Sequence, residues 1–366
     1  MTDSLYSREV GTAKTEVFMN MKMNSRERYI RALKFEGPDR VPIMHRTLPG
    51  AFHRYGRALE ELYQRYPSDV LLSPTVRAPF RFSDPVEECS GKGRMLDQWG
   101  CTWTFLTDDY AGQVIEHPLA DWDALSSYRF PDPLLGEEGV EEMVEVVRRD
   151  RHQHYVMVHA GTLWHRLTYL RGFENALIDV AEKREELLYL RDRIVDYILK
   201  RIERWGEHGE LVDGILILDD WGTQRALMIR PSTWREIFRP AYSKLVAAIH
   251  SVGAYAHFHS DGVTEEIIGD LIEIGLDEVN PQLSCMDMRR LSCRFGGRVC
   301  FRADLDRQWT LPYGSVVDVE AHVHEAFESF GKFNGGLVGY GQIGPDVPLE
   351  NAEAMLKTIW SLKYEL

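Results

Sequence analysis

Two imidazoles and a carboxylate fall close together in Ala256-His257-Phe258-His259-Ser260-Asp261-Gly262. The run from Gly253 to Phe258 reads as a β-strand, and side chains in a strand alternate between faces. His257, His259 and, if the extension continues, Asp261 then share one face. Such a set can move protons or hold a divalent cation. Residues 231–252 before it and 264–274 after it read as helices. A polar cluster at the carboxyl end of a strand in a βα repeat is where barrel enzymes keep their chemistry.

The elements that must position this cluster repeat along the chain. Strand-like runs are expected at 41–44, 69–72, 155–159, 214–218, 254–259, 277–280, 298–302 and 337–340. Gly214 to Leu218 is apolar throughout, as a parallel strand buried on both faces should be. Helical spacing is expected at 58–65, 140–149, 163–169, 184–205, 231–252, 287–294, 317–330 and 349–362, with Pro240 interrupting one of them. Asn24-Ser25-Arg26-Glu27 resembles a capping box that opens a further helix. Eight strands mostly followed by helices predict an α/β fold, a closed (β/α)8 TIM-type barrel with an N-terminal helical arm. Residues 1–23 form the arm and 24–366 the single barrel domain. Trp99 to Phe105 and Gln113-Val114-Ile115 read as a hairpin inserted between strands 2 and 3. An open doubly wound sheet would need a GxGxxG turn after the first strand, and Met44 to Gly50 is not one.

In a barrel the strand ends converge on one mouth. They carry His45 and Arg46 (first), His159 (third), Asp219-Asp220 (fourth), His257, His259 and Asp261 (fifth), and Asn280 and Gln282 (sixth). Arg302, Asp304 and Asp306 end the seventh, Tyr340 and Gln342 the eighth. Several have a plainer reading. Asp219-Asp220 can equally cap a turn. His257 reads as a satisfied core histidine, because barrel interiors are packed. His259, nearer the mouth, reads as functional.

The formal net charge of -14 and the lack of a Lys/Arg cluster exclude nucleic acid and an anionic membrane surface as partners. The 5 cysteines are an odd number without a CxxC pair, which suits a reducing, cytoplasmic setting. No apolar run approaches transmembrane length.

Taken in order, several motifs resemble the uroporphyrinogen decarboxylase superfamily, nearer its corrinoid-linked methyltransferase branch than the true decarboxylases. They are Arg26-Glu27-Arg28, Pro38-Asp39-Arg40-Val41-Pro42, Asp97-Gln98-Trp99-Gly100-Cys101, Tyr169-Leu170-Arg171-Gly172-Phe173-Glu174-Asn175 and Asp219-Asp220-Trp221-Gly222. His259-Ser260-Asp261-Gly262, Asn280-Pro281-Gln282, Asp304-Leu305-Asp306 and Asp346-Val347-Pro348 complete the series. The resemblance implies the same barrel and a homodimer. It also implies that the zinc ligands of the thiol-methylating members, His-x-Cys and a later Cys, fall on His259, Asp261 and Gly341. Both thiolates are missing, so a metal such as zinc would meet nitrogen and oxygen from His259 and Asp261, completed by Asp219, Asp220 or His257. Of the decarboxylase features, Tyr169 following Trp164 matches the family's tyrosine. The first-strand arginines are reduced to Arg46, and Ser73-Pro74-Thr75-Val76 replaces the central aspartate.

The resemblance therefore implies methyl transfer between a small methylated substrate and a corrinoid. The corrinoid would ride on a separate partner protein, since Asp150-Arg151-His152 lacks the glycine of a corrinoid signature. His259, Asp261, Tyr169 and Asp220 are the expected catalytic residues. His45, Arg46, Trp164 and His257 are expected to help hold substrate, as are Gln282, Arg302, Tyr340 and Gln342. A lyase acting on a carboxylate clamped by Arg46 and Arg302, a metal-dependent hydrolase and a non-catalytic subunit are the alternatives.

Overall fold

The computed structural model describes residues 23–72, 86–88, 93–105, 112–133, 137–150 and 153–364. Eight parallel strands form the central sheet: β1 (Ile43–Thr47), β2 (Val70–Leu72), β3 (Tyr155–Gly161), β4 (Gly214–Leu218), β5 (Tyr255–Ser260), β6 (Glu278–Pro281), β7 (Cys300–Asp304) and β8 (Leu337–Ile343). They run in the order β1-β8-β7-β6-β5-β4-β3-β2. The two end strands meet through Asp69, just before β2: its N–H donates to the Ile43 carbonyl at 2.7 Å, and its carboxylate accepts from the Ile43 N–H at 2.8 Å. The sheet is thereby a TIM-type barrel, as expected.

Strand alternation divides the core in two. Met44, Tyr155, Met157, Leu216, Cys300, Val338 and Tyr340 pack inside the barrel. Val156, Val158, Ile215, Ile217, Phe258 and Phe301 face the surrounding helices. Helix Ser25–Lys34 closes the amino-terminal end, where the buried Tyr29 donates its hydroxyl to Glu278 at 2.5 Å. Asn24 caps this helix through the Glu27 N–H, but the Glu27 carboxylate turns to Arg31, so only half of the expected capping box forms.

Two expectations change. The insertion is a four-stranded antiparallel sheet over Val86–Glu88, Arg94–Asp97, Thr102–Thr104 and Gln113–Glu116, not a single hairpin. A separate helix, Phe173–Glu182, lies between Trp164–Arg171 and Glu185–Gly206. The expected interruption near Pro240 is present: the chain breaks at Phe238, so Pro231–Ile237 and Arg239–Ser251 are distinct helices, with Pro240 in the first turn of the second. Residues 1–22 of the expected arm and Ser73 to Val76 lie outside the described residues. Among the described residues no helix is long and apolar enough to cross a membrane.

Candidate active site

Two turns at the carboxyl end of the barrel bring the acidic residues together. Gly222 follows β4 and Gly262 follows β5, and their backbones touch. A Cβ on Gly262 (φ +76) would lie 2.3 Å from the Gly222 carbonyl carbon, and one on Gly222 would lie 2.4 Å from Val263 N. The Gly222 N–H donates to the Asp261 carbonyl at 3.1 Å and the Val263 N–H to the Thr223 carbonyl at 2.9 Å. This close approach sets Asp220 beside Asp261, whose N–H donates to Asp220 Oδ1 at 2.7 Å.

His259 points from β5 into the same space. Its Nε2 stands 3.4 Å from Asp261 Oδ1 and 3.7 Å from Asp220 Oδ1. Its Nδ1 bonds to Asn280 Oδ1 at 2.7 Å, while Asn280 Nδ2 donates to the Arg302 carbonyl at 2.7 Å. That second bond fixes which way the amide points. Asn280 offers His259 an oxygen, so Nδ1 carries a hydrogen and Nε2 is the nitrogen presented to the carboxylates. Burial opposes a charge on His259, but Asp261 and Asp220 outweigh it and raise its pKa. Burial likewise opposes ionisation of Asp261, and the His259 and Arg307 charges hold its pKa well below the usual carboxylate range.

Two residues in this cluster went unnoticed in the sequence. His165 opens the helix Trp164–Arg171. Its Nε2 lies 3.3 Å from Asp220 Oδ2, and its ring stacks on Tyr169 with centroids 5.7 Å apart and planes 8° apart. Its Nδ1 is buried and accepts or donates no hydrogen bond among the described residues. Burial works against its charge, and Asp220 more than compensates, so its pKa is raised. Arg307, three residues past β7, sets Nη2 2.5 Å from Asp261 Oδ1 and Nη1 3.0 Å from Asp304 Oδ2. The result is a row of alternating charge across the mouth: His165, Asp220, His259, Asp261, Arg307, Asp304. A histidine just past the third strand and an arginine just past the seventh were the available signals.

The other expected site residues divide. Tyr169 belongs to the cluster through His165, and Trp103 of the insertion packs on its ring at 4.9 Å. The insertion is itself pinned by Asp97, which accepts from the Trp103 indole at 3.0 Å and from Arg166 at 2.7 Å. Tyr340 and Arg46 lie inside the barrel mouth and share each other's field; burial, the largest influence, lowers the Arg46 pKa. Gln342 pairs with Arg46 in the β1–β8 register.

The remaining residues do not reach the cluster. His45 faces outward, stacked on Tyr63 at 4.0 Å and bonded to the Tyr66 carbonyl at 2.8 Å; burial pushes its pKa down to about 4. Trp164 is packed on Trp221 beneath the loops, with centroids 4.7 Å apart. His257 is a core histidine, bonded to the Tyr155 hydroxyl at 2.7 Å and to Glu278 at 3.0 Å. Arg302 sits deeper in the barrel, 3.4 Å from Glu278 and 3.2 Å from the Met44 sulfur. Gln282 braces the turns, accepting from the Gly262 N–H at 2.9 Å and from Gln224 at 3.1 Å. Asp219 accepts from the Leu163 N–H at 2.9 Å, the His165 N–H at 3.0 Å and the Tyr242 hydroxyl at 2.8 Å, which occupies it as a structural cap.

For a metal, the expected pair His259 and Asp261 is completed by Asp220, not by His257 or Asp219. Ligand atoms of Asp220, His259 and Asp261 lie within 4.8 Å of one another. One imidazole and two carboxylates fit a catalytic divalent cation with open positions, and their hard character suits Zn²⁺, Fe²⁺ or Mn²⁺. Asn280 provides the outer contact that metal-binding histidines use.

No curated protein matches the chain in sequence. Among solved structures, a methyltransferase from Methanosarcina mazei is similar at 17% identity over 92% of this chain and 98% of that one, with a TM-score of 0.65. A B12-independent methionine synthase from a Shewanella species aligns at 9% identity over 83% of this chain and 84% of that one, with a TM-score of 0.45. The sequence profile of the uroporphyrinogen decarboxylase (URO-D) family matches residues 24–362, nearly the whole chain, and the protein belongs to that family.

Proposed function

We propose that the protein is a methyltransferase that moves a methyl group between a small methylated substrate and a corrinoid carried by a separate protein. The observation that carries this reading is the triad Asp220, His259 and Asp261 at the barrel mouth. Cleaving a methyl–oxygen or methyl–nitrogen bond requires the leaving atom to be protonated or bound to a cation. A divalent ion held by the triad would supply Lewis acidity to that atom. Nitrogen and oxygen ligands favour an oxygen or nitrogen substrate atom over a thiolate, which points to methoxy compounds and methylamines. The name of the Methanosarcina mazei protein agrees with methyl transfer, although the likeness itself concerns the fold.

This chain's own groups have separable tasks. Asn280 fixes the His259 tautomer and Gln282 holds the turn that carries Asp261. Tyr169 and His165 wall the site on the side of the insertion.

The test is a purified-protein assay with free cob(I)alamin and a panel of methoxylated and N-methylated compounds. At least one donor should convert cob(I)alamin to methylcobalamin, read by absorbance, and His259→Ala should abolish the conversion. No conversion with any donor, together with CO2 release from a carboxylated compound, would replace this reading with a carboxy-lyase.

A further inference from the structure

We propose that Arg307 is a two-position arm that sets how tightly the triad holds a divalent cation. Its guanidinium neutralises Asp261 while the triad is empty and moves wholly onto Asp304 when the cation takes Asp261. The proposal rests on the reading of Asp220, His259 and Asp261 as the ligands of that cation, and not on which reaction the cation serves.

Arg307 already occupies the Asp261 oxygen that faces His259. Its Nη2 lies 2.5 Å from Asp261 Oδ1, and the same oxygen is 3.4 Å from His259 Nε2. Its Nη1 lies 3.0 Å from Asp304 Oδ2. These are charge contacts and not aligned hydrogen bonds: among the described residues Asp261 Oδ1 and both oxygens of Asp304 accept none. Other arginine–aspartate pairs in this protein are aligned. Arg171 donates Nε to Asp179 at 2.7 Å, and the buried Asp69 accepts from Arg28, Arg40 and the Ile43 N–H. Arg307 is stretched between two carboxylates and settled on neither.

Asp304 is the second position. It ends β7 and is 1% exposed. A buried carboxylate that accepts no hydrogen bond costs stability, so a fold that keeps one calls for a use. Both of its oxygens have accepting capacity left, and the planar fork of a guanidinium fits a carboxylate with two parallel bonds. Rotation of the Arg307 head off Asp261 therefore leads into a prepared seat. Only the side chain has to move, because the backbone beneath it is held. The Asp306 carboxylate accepts from the N–H groups of Gln308 at 3.0 Å, Trp309 at 3.2 Å and Thr310 at 3.1 Å, and Gln308 accepts from the Gln282 amide at 3.2 Å.

The charges at the mouth drive the move. Asp261 repels both Asp220 and Asp304, and the arm between Asp261 and Asp304 neutralises them while no cation is there. A divalent cation at the triad repels the guanidinium from Asp261, and Asp304 draws it away. The work of that displacement weakens binding. A cation drawn mainly to carboxylates, such as Mg²⁺, recovers it less well than one that also gains the His259 imidazole, such as Zn²⁺.

The experiment measures zinc and manganese affinity by calorimetry at pH 7.5 in wild type, Arg307→Gln, Asp304→Asn and the double variant, with thermal melting to confirm that each is folded. Arg307→Gln should bind zinc at least about tenfold more tightly than wild type, because nothing then competes for Asp261. Asp304→Asn should bind it about three- to tenfold less tightly, because the arm has lost its second seat. In the Arg307→Gln background the Asp304→Asn loss should nearly vanish, whereas a plain loss of negative charge near the ion would weaken binding alike in both backgrounds and overturn the proposal. A crystal structure of the zinc-bound wild type should show Arg307 paired with Asp304 alone, a readout that stands even if a variant does not fold. Zinc bound by wild type but no more tightly by Arg307→Gln, or a guanidinium still on Asp261 beside the ion, would overturn the proposal and leave the triad as a cation site. Binding of neither ion by any of the four proteins would overturn it together with the cation site itself.

Discussion

Replacing Asp219 with alanine would leave the Leu163 and His165 amides and the Tyr242 hydroxyl without their acceptor in a fully buried place. We expect Asp219→Ala to destabilise the protein by about 3 kcal/mol in denaturant unfolding. Asp220→Asn keeps an oxygen for the Asp261 N–H but withdraws the counter-charge from His165 and His259, and should cost about 1–2 kcal/mol, less than Asp219→Ala. It should nevertheless remove zinc binding, measured by calorimetry, by deleting one ligand of the triad. Zinc binding that survives Asp220→Asn would show that another carboxylate completes the site. The sequence offered these two aspartates side by side and no way to choose between them. Their roles depend on a half-turn of backbone that aims one at a helix end and the other at the mouth. His165 was hidden for a related reason: the first turn of a helix can face in several directions, and Trp164 beside it is packed inward.

The turns after β4 and β5 act as a unit. Their glycines let two backbones approach more closely than any side chain permits, and Gly262 also has φ +76. Gly262→Ala should therefore cost roughly 2–4 kcal/mol in unfolding free energy, more than the usual penalty for alanine at positive φ. It should also separate Asp220 from Asp261 and weaken zinc binding at temperatures where the variant remains folded. A variant with wild-type stability would mean that the turns are not in contact. At this scale the sequence was most legible. The barrel strands alternate or are apolar throughout, and the Asp-Gly after β5 announces a turn. The insertion was less legible because its strands are only 3 or 4 residues long and two of them lie in a stretch with no sustained period. That the two glycine turns meet could not be read, since contact between loops of adjacent strands depends on how the barrel closes.

Across the whole molecule, buried charge ties stability to pH. Asp220, Asp261 and Glu278 have lowered pKa values: burial opposes each, but His165, His259 and Arg302 respectively outweigh it. Their stabilising contributions are present above about pH 4 and are lost as pH falls through their folded pKa values. Asp219 and Asp304, raised by burial to about 6, act oppositely. Between about pH 4 and pH 6 the folded state holds protons that the unfolded chain releases, so stability declines as pH rises. His165 and His259, raised by their carboxylate neighbours against burial, contribute fully below about pH 6.5, and that contribution is lost as pH rises through their folded values. The net charge of -14 adds self-repulsion in the same direction. These groups loosen the fold as pH rises above 4, but His45 and His159, held uncharged by burial with pKa values pushed down to about 4 and about 3, act oppositely: below about pH 6.5 the unfolded chain binds protons that the fold refuses, so their effect is to raise stability as pH rises to that point. Above about pH 6.5 only the raised histidines and the net charge still act, so melting temperature should peak near about pH 6.5 and fall towards pH 8. Asp304→Asn, by removing a group whose effect runs the other way, should steepen the rise between pH 4 and 6, and saturating zinc, by replacing the His259 proton, should flatten the fall above pH 6.5. Calorimetric scans from pH 4 to 8 check this, and a peak at or above pH 7.5 would show that the carboxylates beside His165 and His259 do not stabilise their charge.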